Sequence, residues 1–386
     1  MKSFNQKVSS IKESIFSKIT SLAIEHNAIN LSQGFPDFDG PEFIRDAFQE
    51  ALSVSKLGQY SPMPGLPFLI EEIKNYTKNF YDLNLNLNEI TITNGATEGI
   101  FLTCMALLNE GDEVVIFEPF YDSYPAAISL TGAKLKVVTL EGPSFKWSPS
   151  SLESAFSKKT KLVILNNPHN PTGRVFDEFE LKELAKLIIK YDCFVLSDEV
   201  YEFLTFDDHK HIPIMTLPGM RERTITISSA GKTFGHTGLK VGWTLAEPSI
   251  SNAIRMVHQF NVFCVNTYSQ FAVARGLQNL SSYLPTYRET YERKRLQLHN
   301  ILKESGFSPK LPQGSYFSLV QIPTAKQELG FKDITFCEHL IAKNKIATIP
   351  PSVFYLNSKE GERYLRFCFA KKEETLAEAG KKLKVF

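Results

Sequence analysis

Six short runs rich in Val, Ile, Leu and Thr recur between residues 89 and 229: EITIT (89–93), DEVVIF (112–117), KLKVVTL (134–140), TKLVILN (160–166), CFVLSD (193–198) and RTITISS (223–229). Segments with a helical pattern, such as TEGIFLTCMALLN (97–109) and FELKELAKLIIKY (179–191), lie between some of them. Short apolar strands separated by helices predict a mostly parallel sheet covered on both faces. In such sheets ligands bind at the carboxyl ends of the strands, so the residues that follow each run are where chemistry is expected. Near residue 285 the pattern changes: a long helix, roughly 283–305, leads into GSYFSLVQI (314–322), IATIPPSVF (346–354) and YLRFCFA (364–370). The chain therefore reads as an α/β protein in three stretches. Residues 46–284 form a large domain with a mostly parallel sheet, 285–386 a smaller α+β domain, and 1–45 an N-terminal segment that joins the smaller one.

Composition narrows the function classes. With 386 residues, 43% of them apolar, the chain can bury a large core. A net charge of +1 without a long basic run argues against nucleic acid as a partner. The start, MKSFNQKVSSIKESIF, has no apolar stretch of the signal-peptide kind, and no 18-residue apolar run suggests a membrane span. The five cysteines (104, 193, 264, 337 and 368) are odd in number, widely spaced and free of any CxxC, the pattern of reduced thiols in a cytoplasmic protein.

The last of the six runs opens onto SSAGKTFGHTGLKVGW (228–243), with Lys232 among small residues and Lys240 eight positions on. A P-loop would need a glycine five residues before Gly231, where Thr226 stands, so that reading fails. Two remain for the triplet alone: a solvated lysine in a turn, or a lysine held in a pocket where its amine can carry an aldehyde cofactor as a Schiff base beside a phosphate site.

The other strand ends carry their own candidates. NGATEG (94–99) opens a helix, so the backbone N–H groups of Gly95, Ala96 and Thr97 can face an anion, though a plain strand-to-helix turn looks the same. In EPFYDSYP (118–125), Tyr121 can lie flat on a planar cofactor or be an ordinary core aromatic. NNPHNPTG (166–173) fixes its backbone with two prolines and can present Asn170 to a ring oxygen. SDEVYE (197–202) places Asp198 at the end of a buried strand, where it needs a cationic or donor partner, with Tyr201 three residues later. A structural ion pair or a protonated pyridine nitrogen would each serve. Arg366, a cation inside the apolar strand YLRFCFA, suits a substrate carboxylate or a structural salt bridge. The two His and two Asp of FDDHKHIP (206–213) read as solvated surface rather than a metal site.

NPHNPTG, SDEVYE, SAGKTFGHTGLKVGW and RFCFAKK together resemble the fold-type I pyridoxal-phosphate aminotransferases of class I/II, over essentially the full length. Within them, LSQGFPDFDGP (31–41), GATEGIF, YDSY, VILNNPHNP and IPPSVF are similar to bacterial methionine aminotransferases and to the kynurenine aminotransferase and cysteine-conjugate β-lyase branch. The resemblance implies pyridoxal 5′-phosphate as cofactor and a ping-pong exchange between an apolar or aromatic L-amino acid, methionine first, and a 2-oxo acid. It implies that Lys232 carries the cofactor and then moves the proton, that Asp198 pairs with the ring nitrogen, and that Asn170 and Tyr201 bond the ring oxygen. Tyr121 would stack on the ring, while Gly95, Ala96, Thr97, Ser229 and Lys240 would surround the phosphate. Arg366 and Gly34 would hold the substrate carboxylate with Asn170. Tyr60 and Phe263 match contacts made across the interface of a homodimer with shared active sites. Cys264 departs from the His usual in kynurenine enzymes. Kynurenine transamination and β-elimination remain alternatives within the same chemistry. An aminotransferase-like transcription regulator is a remote one, since only about 30 residues precede LSQGFPDF.

Overall fold

The computed structural model describes residues 5–9, 11 and 13–384. Its strands are β1 (Ile29–Asn30), β2 (Ile90–Thr93), β3 (Glu113–Glu118), β4 (Lys134–Thr139), β5 (Thr160–Asn166), β6 (Phe194–Asp198), β7 (Thr224–Ser229), β8 (Gly242–Leu245), β9 (Phe317–Gln321), β10 (Ile346–Ala347) and β11 (Tyr364–Cys368). Seven of them form one sheet in the order β2-β8-β7-β6-β5-β3-β4. All its pairs are parallel except the two made by β8. The six expected runs all appear as strands. β8 was not foreseen: it is four residues long and lies inside the glycine-rich stretch that the chemistry of Lys232 had claimed.

Every residue of β3 is buried, because the sheet is covered on both sides. Side chains alternate along a strand. Val114 and Ile116 therefore pack with Ile100 and Leu102 of the helix Ala96–Leu107. Val115 and Phe117 pack on the other face with Leu181 and Leu184 of the helix Glu178–Lys190. The second helix starts where it does because Asp177 accepts from the Glu180 N–H (2.9 Å) while Glu180 accepts from the Asp177 N–H (3.1 Å). Such a reciprocal cap contributes about 1 kcal/mol.

The expected long helix spans Leu280–Glu304. Beyond it, β9 and β11 pair antiparallel, and an isolated bridge joins Ile349 to Arg366. The N-terminal β1 pairs in parallel with β10, Ile29 opposite Ile346. No helix among the described residues is long and apolar enough to cross a membrane.

Candidate active site

The carboxyl ends of β2, β3, β5, β6 and β7 face one cavity of about 260 Å³. Every residue expected from the sequence lines it except Tyr60 and Phe263. Gly95, Ala96 and Thr97 arrive from β2, Tyr121 from β3, Asn170 from β5, Asp198 and Tyr201 from β6, and Ser229 and Lys232 from β7. Lys240 precedes β8, while Gly34 and Arg366 come from beside β1 and from β11.

One end of the cavity is built for an anion. Gly95 caps the helix Ala96–Leu107 with φ 78°, a left-handed conformation that glycine adopts without cost. The unpaired N–H groups of the helix start and its dipole favour negative charge there. Gly242 of β8 lies in register between Thr93 and Ser229. A side chain on Gly242 would come within 2.7 Å of the Gly95 carbonyl carbon and 2.8 Å of the Ala96 nitrogen, so the cradle's backbone rests directly on β8. A Cβ placed on Gly95 would lie 3.7 Å from the Lys240 ammonium, which puts that charge at the cradle's rim. Lys240 forms no ion pair among the described residues.

Lys232 and Asp198 line the same cavity. The Lys232 ammonium donates to the Gly34 carbonyl (3.0 Å), which the Tyr316 hydroxyl also reaches (2.5 Å). Burial pulls the Lys232 pKa down to about 8; the charges of Arg366 and Lys240 act in the same direction, and that of Asp198 against it. Asp198 is 4% exposed and accepts the Tyr124 hydroxyl at 2.6 Å. Burial pushes its pKa up to about 6, against the lowering effect of the Tyr124 and Val200 hydrogen bonds and of the Lys232 charge. Asp198 makes no ion pair among the described residues: its side-chain partners are a phenol and a backbone N–H. Tyr124 also meets the edge of Tyr121, their planes at 85°, and so fixes that ring's attitude toward the cavity.

The far wall holds Arg366, 1% exposed and likewise without a carboxylate. Its guanidinium donates to Asn170 Oδ1 (2.9 Å) and to the Ser32 carbonyl (2.8 Å), while Nε is buried without a partner. It lies over Phe317 (4.2 Å to the ring centroid) and Phe16 (4.9 Å). A buried cation satisfied only by neutral acceptors is suited to an incoming carboxylate.

Tyr60 and Phe263 sit elsewhere. They meet edge to face, centroids 5.6 Å apart, and are 84% and 44% exposed. His211 departs from the expected solvated loop. Its ring, 3% exposed, bonds Glu199 at 2.8 Å, because the 206–213 segment folds back onto the end of β6. Beside it Glu202 accepts the hydroxyls of Ser228 (2.5 Å) and Tyr81 (2.7 Å), and burial pushes its pKa up to about 7. Among the described residues no three metal-capable side chains converge.

Several residues that shape the site were not singled out from sequence. Asn166 donates to the Asp198 carbonyl (2.9 Å) and accepts from the Asn170 N–H (2.7 Å), tying two strand ends together. Asn166 and Tyr124 both lie inside quoted motifs, and a search for buried hydrogen-bonding partners within NNPHNPTG and EPFYDSYP would have found them. Phe16 carries no such local signal.

The cavity brings together an anion cradle, a poised amine, a buried carboxylate and a guanidinium without a carboxylate partner, a set that fits pyridoxal phosphate together with an amino acid. The family described as aminotransferase class I and II matches residues 26–383. The chain is 38% identical to a kynurenine–oxoglutarate transaminase of Dictyostelium discoideum over 97% of its own length and 94% of the relative's. It is also 38% identical to a methionine aminotransferase of Escherichia coli K12, covering 98% of this chain and 97% of that one. Among solved structures, an Escherichia coli protein whose crystal structure and reactivity identify a methionine aminotransferase function superposes with a TM-score of 0.95 at 37% identity, covering 100% of each chain.

Proposed function

Because this chain belongs to the class I and II aminotransferases, an enzyme family dependent on pyridoxal phosphate, we propose that it moves the amino group of an apolar L-amino acid, methionine first, to a 2-oxo acid. The observation that carries the reading is that Lys240, Lys232, Asp198 and Arg366 all line one cavity. Relatives named for methionine and for kynurenine support an apolar or aromatic donor.

Bound pyridoxal phosphate supplies an aldehyde for the amino group and a ring that accepts the electron pair left on the substrate's α-carbon. In this reading the N–H groups of Gly95, Ala96 and Thr97, with Ser229 and Lys240, hold the phosphate. Asn170 and Tyr201 hold the ring oxygen, Tyr121 covers the ring face, and Asp198 keeps a proton on the ring nitrogen. Lys232 Nζ carries the cofactor between turnovers. Arg366, with the Gly34 backbone and Asn170, fixes the α-carboxylate. Lys232, its amine near neutrality at about pH 8, then takes the α-proton and hands it on as a general base and acid. We assign cofactor binding to 46–284 and the closing of the substrate side to 285–386 with 1–45; the β1–β10 pairing supports the latter grouping.

A panel of donors tests this on the purified holoenzyme. Methionine and phenylalanine are expected to exceed aspartate by at least about tenfold in kcat/KM, and a cysteine S-conjugate in the same panel is expected to give its 2-oxo acid rather than ammonia and pyruvate. Preference for aspartate, or elimination outrunning transfer, would overturn it.

We also propose a homodimer in which Tyr60 and Phe263 complete the neighbour's site. Their exposure, with that of Phe260, three residues before Phe263, at 85%, supports it, since exposed aromatic rings are costly to leave in water. Phe263→Asp is expected to halve the sedimenting mass; an unchanged mass removes Phe263 from the interface.

A further inference from the structure

A largely buried polar cluster adjoins the ends of β6 and β7, and none of its residues lines the cavity. Side chains alternate along a strand. Ser229 lines the cavity, so Ser228 faces the other way, opposite Trp243 of β8 in register. The segment after β6 is divided in the same manner: Tyr201 lines the cavity and Glu202 does not. The Ser228 hydroxyl donates to Glu202 Oε1 (2.5 Å) and the Tyr81 hydroxyl to Oε2 (2.7 Å). The Tyr76 hydroxyl reaches Oε1 at 3.5 Å and accepts the Trp243 ring N–H (3.0 Å). Glu199 and His211, bonded to each other, add their charges to the same surroundings.

Glu202 and Ser228 are 4% and 1% exposed. A carboxylate in such a place costs free energy even with its bonds made, and apolar side chains of similar volume are often as stable there. Stability therefore does not account for Glu202, but its position does. The ladder between β6 and β7 ends with Asp198 opposite Ile227, and the Glu199 N–H adds one bond to the Ile227 carbonyl (2.8 Å). Past that point the two segments leave the sheet: residues 200–203 form a turn, and the short helix Ala230–Thr233 carries Lys232. There the Ser228–Glu202 bond links them. Each partner stands one residue from a group assigned to the cofactor, Ser228 before Ser229 at the phosphate and Glu202 after Tyr201 at the ring oxygen.

We infer that Glu202, acting through Ser228, is a positioning residue for the cofactor: their bond sets the spacing between Tyr201 and Ser229. The inference rests on the transaminase reading and adds to it two residues that do not line the cavity. The ring oxygen and the phosphate belong to one small molecule, so the groups that hold them have to be correctly spaced at the same time. Two groups whose separation is fixed before binding hold such a molecule with little further cost of ordering. Removing the bond deletes none of the groups assigned to the cofactor; it loosens their spacing, and a site loosened by about 1 Å holds and orients its ligand poorly.

The test measures the dissociation constant of pyridoxal phosphate by equilibrium dialysis of the holoenzyme, with the melting temperature recorded for each variant. Ser228→Ala deletes one oxygen atom, and Glu202→Gln keeps the shape but offers one accepting oxygen in place of two. Each is expected to weaken the hold on the cofactor by on the order of tenfold. The double variant is expected to stay within about twofold of the weaker single one, because the same bond is lost in all three. Tyr81→Phe separates positioning from plain destabilisation. It takes the other hydroxyl from Glu202, so the melting temperature should fall about as far as in Ser228→Ala, while the dissociation constant stays within about twofold of wild type. Three results overturn the inference: Ser228→Ala holding the cofactor as wild type does, single effects that multiply in the double variant, or Tyr81→Phe weakening the hold as much as Ser228→Ala. Wild-type protein that takes up no pyridoxal phosphate would defeat the transaminase reading, and this inference with it.

Discussion

Lys232→Ala is expected to lower turnover by at least about 10⁴-fold, because a general base and a covalent attachment point disappear together. The variant should still bind pyridoxal phosphate, since the cradle of Gly95–Thr97 and Lys240 and the Asp198 carboxylate remain. Borohydride treatment followed by mass analysis separates the two properties. The wild type should keep the cofactor's mass on the peptide containing residue 232, and the variant on none. Turnover within tenfold of wild type would end the assignment. The pH dependence offers an independent check. An amine with a pKa near 8 is mostly protonated at pH 7 and mostly neutral at pH 9. Covalent capture of added pyridoxal phosphate by cofactor-free protein should therefore speed up roughly tenfold per pH unit below about 8 and level off above it. A flat profile from pH 6 to 9 would show that the capturing amine is not Lys232 in its buried setting.

Asp198→Ala carries the second-largest expected effect. Removing one partner of a buried charge pair costs about 3–5 kcal/mol, so turnover should fall between about 10²- and 10⁴-fold. The loss should appear in the chemical step, with a smaller change in methionine KM, because the Asp198 side chain bonds Tyr124 and Val200 and not the Arg366 group assigned to the substrate carboxylate. Pre-steady-state rates of α-proton removal measure this directly. If KM rises while that rate holds, Asp198 serves substrate binding instead. The conservative Tyr124→Phe variant should move in the same direction by less, since it removes one hydrogen bond to a charged group, worth about 1.5–3 kcal/mol.

The sheet was legible in the sequence because fully buried strands must be apolar on both faces, and the site because its residues follow those strands directly. What escaped notice depends on contacts that sequence proximity does not encode. β8 runs against its neighbours and follows a loop, so no strand–helix–strand rhythm announces it. Tyr124 meets Asp198 across a separation of 74 residues, and Phe16, near the start of the chain, lies on Arg366, near its end. His211 looked solvated because its segment is polar; the Glu199 that buries it sits on the end of another element.

The hydrogen bond from Arg366 to Asn170 joins the group assigned to the substrate carboxylate to one assigned to the cofactor's ring oxygen. Two ligands that share a mechanical link cannot bind as strangers. If a carboxylate seated on Arg366 changes the hold on the ring by some factor, then the ring must change the hold on that carboxylate by the same factor, whatever the path between them. Under those assignments, a coupling between substrate and cofactor would pass through the Asn170 side chain.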